Sequence, residues 1–279
     1  YQSRAMLSDK TEAFTAKFEE CPLKEHHTTS LVFNDPPYHT TVRKLLAEAF
    51  TPRKLAEFEP LIARIVDRLL DRLEDMGEAD LVEDFAKVLP TEIISVMLGV
   101  PEEMRPRLRG YSLAILGALD PVVSPERLEA GNRAVEEFSA LLAEIIGHRR
   151  RNPGQVGEGE VLEALIFGEH DGRRLTEKEL IQNCIFLLNA GHETTTSLVA
   201  NAMGTLFAAP DAHRALRADP GLIDTAVEEF LRLESPLRIF PVITQTAERL
   251  TAERIALVAE AAHVLPPIGA QGLNTSLHD

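Results

Sequence analysis

Tryptophan is absent, aromatic residues make up only 5% of the chain, and there are two cysteines in 279 residues. Two thiols, Cys21 and Cys184, cannot build a disulfide framework, and they fit a reducing, cytoplasmic setting. Positive charge is scarce as well: 29 basic against 44 acidic side chains leave a net charge of −15. Nucleic acid and anionic membrane both demand a basic face, so neither is expected as a partner. The uncharged run 194–210 is interrupted by Thr, Ser and Asn and is short for a membrane span, and no signal peptide is read at the start. What remains is 44% apolar, enough to bury a substantial core.

That core is expected to gather around one stretch, 176–209. Thr176 and Glu179 form a capping-box pattern, and Pro210 ends the helix they begin. Apolar side chains occur all round it, which predicts a long helix running buried through a mainly α fold with little β. Its middle is polar: Ala190, Gly191, His192, Glu193, Thr194, Thr195. A bare Gly permits close approach to the backbone, and a Thr hydroxyl can bond the carbonyl one turn earlier. An acid beside an alcohol within an apolar helix makes a short proton relay. A zinc-protease H-E-x-x-H is excluded, because position 196 is Thr.

Other helices are predicted along the chain. Residues 1–34 read as a short helix followed by loop, with Cys21, His26 and His27 as loop residues rather than metal ligands. In DPPYHTTVRKLLAEAFTP (35–52), His39 and Arg43 stand four apart on one helical face, and Thr51 caps the next helix with Pro52 in its first turn. That helix ends before Gly77, and Ser124-Pro125 opens another that closes on Arg149, Arg150 and Arg151, read as a solvated end complementing the helix dipole. Glu229 and Arg232 are adjacent on a later helix.

The segment A-G-H-E-T-T resembles the oxygen-binding motif of bacterial-type cytochromes P450. DPPYHTTVRKLLAEAFTP and AVEEFLRLESP are similar to two further segments of that family, in the expected order, so the resemblance covers about 35–248. It implies a truncated P450-type helical domain over 1–248. Glu193 and Thr194 would be catalytic proton donors, and Ala190 and Gly191 would border a haem b whose propionates meet His39 and Arg43. Glu229 and Arg232 would form a buried locking pair. A small apolar organic substrate would be hydroxylated beside Tyr111, Leu113, Ile115 and Leu116, with electrons from a ferredoxin- and reductase-type donor. Gln245 stands where the family often has an Arg.

The same family supplies its axial thiolate from a Gly-rich Cys loop beyond the E-x-x-R helix. No Cys follows Cys184, so no metal ligand is identified and this chain is expected to lack turnover. Residues 254–279 instead resemble the second FAD-binding segment of flavoprotein aromatic hydroxylases. Glu260 stands at the acid's place and Ala259 at that of a Gly, while Gly269, Gly272 and Asn274 match. The flavoprotein family's N-terminal dinucleotide fingerprint is missing, so FAD is not expected to bind. TAER at 246–249 and again at 251–254 brackets the change, which divides the chain into 1–248 and a 249–279 fragment. The alternatives to a P450-type monooxygenase are a non-enzymatic remnant or fusion and a flavin-dependent hydroxylase.

Overall fold

A computed structural model describes residues 20–118, 123–234 and 236, with two short strands at 251–252 and 255–256. Ten α-helices carry the described fold: α1 Pro22–Thr29, α2 Tyr38–Ala47, α3 Pro52–Met76, α4 Val88–Met97, α5 Arg105–Gly117, α6 Pro125–Arg151, α7 Leu162–Phe167, α8 Glu177–Ala208, α9 Pro210–Ala218 and α10 Ile223–Leu233. A π-helical segment, Leu81–Ala86, leads into α4. The strands, β1 Thr251–Ala252 and β2 Ile255–Ala256, pair antiparallel. The resemblance's mainly α expectation is met.

Helix ends follow the local chemistry. The Thr51 side chain accepts from the Lys54 amide, and Ser124 accepts from that of Arg127, each ahead of a Pro in the first turn. Gly77 ends α3 at φ 72°, a conformation that a Cβ would oppose. At α8 both halves of the capping box form: the Glu179 amide donates to Thr176 Oγ1 at 3.2 Å and the Thr176 amide donates to Glu179 Oε2 at 2.9 Å.

The core sits where α5, α6 and the first half of α8 meet. On α6, Ala134, Val135, Phe138, Leu141, Leu142, Ile145 and Ile146 are buried at helical spacing. Each of the larger side chains contributes roughly 1.5–3 kcal/mol by leaving water. A Cβ on Gly131 would lie 2.8 Å from Ala118 Cβ and 2.9 Å from Leu23 Cδ1, so Gly is what lets α1, α5 and α6 close together.

Two polar residues of α8 tie the N-terminal helix to it. Asn183 Oδ1 accepts from the Leu31 amide at 2.9 Å, and Gln182 Oε1 meets His26 Nδ1 at 3.0 Å. His26 and His27 are therefore buried helical residues and not loop, a correction to the sequence reading. No cluster of His, Cys, Asp and Glu suited to a metal occurs among the described residues. No described helix is long and apolar enough to cross a membrane.

Burial along α8 is uneven. Leu180, Ile181, Cys184, Ile185, Leu188, Asn189 and His192 are buried, while no residue from Glu193 to Ala208 is. The expectation of a helix buried along its whole length thus holds for the first half only. The packing partners α4, α5 and α6 cover that half, and α9 and α10 only partly cover the second.

The helix end at 149–151 also differs from expectation. Arg149 Nε donates to Glu160 Oε1 at 2.6 Å, its second arm meets Glu160 Oε2, and it also donates to the Gln155 carbonyl. Only Arg150, paired with Glu177, and Arg151 resemble a solvated end. Arg149 instead clamps the Gly-rich loop after α6, because the Glu160 side chain is 2% exposed and needs a partner.

Candidate functional site

The helical segment 190–195 lies against α4, where Ile94 stands beside Gly191. α8 stays α-helical through it. The Thr194 hydroxyl donates to the Ala190 carbonyl at 2.8 Å, and the Thr196 hydroxyl to that of His192 at 2.9 Å. Those are the back-bonds expected of Thr in a helix interior.

Gly191 forms a notch that is filled. A Cβ there would fall 2.8 Å from Ile94 Cδ1 and 3.0 Å from Ile94 Cγ1. The close neighbour of the bare backbone is thus a side chain of α4. Beside it, His192 is 2% exposed, and neither ring nitrogen has a hydrogen-bond partner among the described residues. Burial pushes its imidazole below the usual histidine range, helped by the positive charges of Arg109 and Lys87. Sequence reasoning quoted His192 but assigned it no role. An ionisable residue in a helix centre was the available signal.

Glu193 projects from the same turn with its side chain open to solvent. The neighbouring protein still desolvates its carboxyl enough to raise it above the usual carboxylate range. Glu193 and Thr194 are therefore neighbours on one turn, an acid biased toward its protonated form beside a hydroxyl.

His39 and Arg43 lie one turn apart on α2, half-buried and exposed respectively, and neither ion-pairs with a described residue. Val42, Leu45 and Leu46 of the same helix are buried, with Leu46 one turn beyond Arg43. Glu229 and Arg232 do pair, through Arg232 Nε to Oε2 at 2.8 Å and Arg232 Nη2 to Oε1 at 2.6 Å. Their side chains are 49% and 66% exposed, however, so the pair is not the buried lock that the resemblance implies. No described element covers that face of α10.

Of the four residues expected beside a substrate, Tyr111 and Ile115 belong to the core instead. Tyr111 stacks on Phe138 with ring centroids 5.6 Å apart, and Ile115 is fully buried. Leu113 is exposed, and Leu116 joins a partly buried group with Cys21, Phe33 and Leu128. Cys184 is fully buried on α8, and burial pushes its thiol up to about 12. Cys21 lies partly exposed at the start of α1. Gln245, Glu260, Gly269, Gly272 and Asn274 lie outside the described residues.

The sequence model described as "Cytochrome P450" matches residues 3–233, more than half of the chain. This chain belongs to the cytochrome P450 family. Among its relatives, the putative cytochrome P450 YjiB of Bacillus subtilis (strain 168) is 37% identical over 239 residues, covering 85% of this chain and 59% of that protein. The cytochrome P450 monooxygenase PikC of Streptomyces venezuelae is 39% identical, covering 85% of this chain and 56% of its own length. The crystal structure of P450BioI in complex with an acyl carrier protein ligated with hexadec-9Z-enoic acid aligns with a TM-score of 0.72 at 32% identity, over 83% of this chain and 62% of that one. The chain thus spans somewhat over half the length of these P450 relatives. A second model, described as "FAD binding domain", matches residues 202–279 and overlaps the P450 match over 202–233.

Proposed function

We propose that this chain is the oxygen-motif half of a P450-type monooxygenase that would hydroxylate a small apolar organic substrate, and that it does not turn over by itself. The pairing of Glu193 and Thr194 on one turn supports a proton-delivery role for that turn. His39 and Arg43, one turn apart and free of ion pairs with described residues, suit a pair of carboxylates such as haem propionates.

The observation that carries the second half of the proposal is the state of the cysteines. Cys184 is fully buried in the core on the same helix as the 190–195 turn, so it does not stand on a loop that could present an axial thiolate opposite that turn. Cys21 lies ahead of α2 and outside any Gly-rich loop. The donor set of these 279 residues therefore does not fit a haem–thiolate centre, and no catalytic step is derived through one.

Haem titration of the purified chain tests this. A thiolate-type ferrous–CO band would overturn the predicted incompetence. Weak binding without that band supports it. The electron donor would be a ferredoxin- and reductase-type pair, supplied from outside. We place the change of family near residue 248–249, where the two TAER repeats stand.

A second reading, a non-enzymatic helical remnant, is favoured by the uncovered apolar side of α10. A flavin-dependent hydroxylase rests on residues 202–279 alone, and a purified protein lacking flavin absorbance would remove it.

A further inference from the structure

Buried polar side chains nearly always find a partner, in the protein or in ordered water. Where α5 packs on α8, four side chains carry buried polar atoms with no partner among the described residues. On α8 these atoms are both ring nitrogens of His192, 2% exposed, and, one turn earlier, Oδ1 of Asn189, 8% exposed. On α5 they are Arg109 Nε and, one turn later, Oγ of the fully buried Ser112.

The charges of Arg109 and Lys87 both bear on the His192 ring. With burial they push its imidazole below the usual histidine range, so the ring is neutral at neutral pH. The two cations already share an acid: Arg109 Nη2 donates to Glu83 Oε2 at 2.7 Å, and Lys87 Nζ donates to Glu83 Oε1. What is left calls for an uncharged partner. Arg109 Nε–H can only donate, and a neutral imidazole keeps one bare nitrogen beside one N–H. The structure does not join the two directly. A molecule that accepts from Arg109 and donates to the bare nitrogen completes both, and water does this while keeping two bonds spare. Ser112 Oγ and Asn189 Oδ1, one turn away on each helix, are the candidates for those. A small anion fits less well, because Glu83 already answers both cations and the ring carries no charge.

We propose that α5 and α8 hold an internal water site, in which one water accepts from Arg109 Nε–H, donates to the bare ring nitrogen of His192 and so ties α5 to the buried side of the 190–195 turn. The site contains no haem and no substrate, no proton is routed through it, and it goes beyond the monooxygenase reading.

The test is a crystal structure of the full 279-residue chain that resolves ordered water, paired with NMR of the carbon-13 histidine-labelled protein. One water is expected within hydrogen-bond distance of Arg109 Nε and a His192 ring nitrogen. The His192 Cε1 proton, assigned by its loss in His192→Gln, should show a cross-peak to a long-lived water. Arg109→Met should abolish the density and the cross-peak. Glu83→Gln should keep both, since it leaves Nε untouched. Circular dichroism checks the fold of each variant, and Arg109→Lys, which also lacks Nε, replaces Arg109→Met if that one fails to fold.

Four results would overturn the assignment: a direct Arg109–His192 hydrogen bond, no ordered water at His192, a water that persists without Arg109 Nε, or bromide bound there in a soaked crystal. The last would identify an anion site instead. None of these readouts involves haem, so this test and the ferrous–CO test succeed or fail separately.

Discussion

Ile94 reaches across from α4 until its Cδ1 stands 2.8 Å from where a Cβ of residue 191 would be. The Ile94 side chain thus fills the space that a Cβ at residue 191 would take. Gly191→Ala is expected to meet an overpacking cost of about 1–3 kcal/mol, offset by the roughly 1 kcal/mol that Ala gains over Gly within a helix. In an Ile94→Ala background the clash disappears, and the same substitution should stabilise by about 1 kcal/mol. A double-mutant cycle read by urea unfolding measures the difference. Equal effects in both backgrounds would show that the notch serves something other than Ile94.

Acid should unfold this protein through its buried imidazoles. Desolvation holds His26 down to about 4 against its usual 6.5, with the Gln182 contact opposing the shift, and His192 moves in the same direction. Between those values the unfolded chain takes up a proton that the folded His26 refuses, so stability falls as pH drops from 6.5 toward 4. The loss from His26 is about 3 kcal/mol across that window. Urea midpoints measured over the same range should slope less in His26→Gln, and an unchanged slope would remove His26 as the cause.

Two Arg–Glu pairs of similar geometry should differ widely in worth. Removing Arg149 leaves the Glu160 carboxylate, 2% exposed, without its partner, and Arg149→Ala should cost about 3–5 kcal/mol. Arg232→Ala breaks a pair that stands in water, and no measurable change in the chain's own stability is expected. Thermal melts of the two variants decide the matter.

The cysteines should react at very different rates. Cys21 is partly exposed and should be modified by a thiol reagent in the native protein at neutral pH. Cys184, buried and protonated up to about 12, should react only after unfolding. Fast modification of both would contradict the core packing around α8.

Features set by a few neighbouring residues were legible in the sequence. The Thr176–Glu179 capping box, the Thr51 and Ser124 caps and the Thr194 back-bond each join residues within one turn, so spacing alone specifies them. The adjacency of Glu229 and Arg232 was legible for the same reason, but their exposure was not, since that depends on what covers α10. His26 and His27 sit in a polar stretch, and their burial comes from α6 and α8, far along the chain. Arg149 was misread because cations at a helix end are usually solvated, and the acid that claims it comes from the following loop. Ile94 could not be placed against Gly191 without the crossing of α4 and α8.

The uneven cover along α8 has a consequence for motion. One unbroken hydrogen-bond ladder runs from Glu177 to Ala208, yet only its opening stretch as far as His192 is locked beneath other helices. Opening of the half-buried far end uncovers less apolar surface than opening of the buried first half, so its amides should trade hydrogen for deuterium before those near Leu188. The turn that carries Glu193 and Thr194 falls on the border between the two regimes. There a fully packed stretch gives way to a half-covered one.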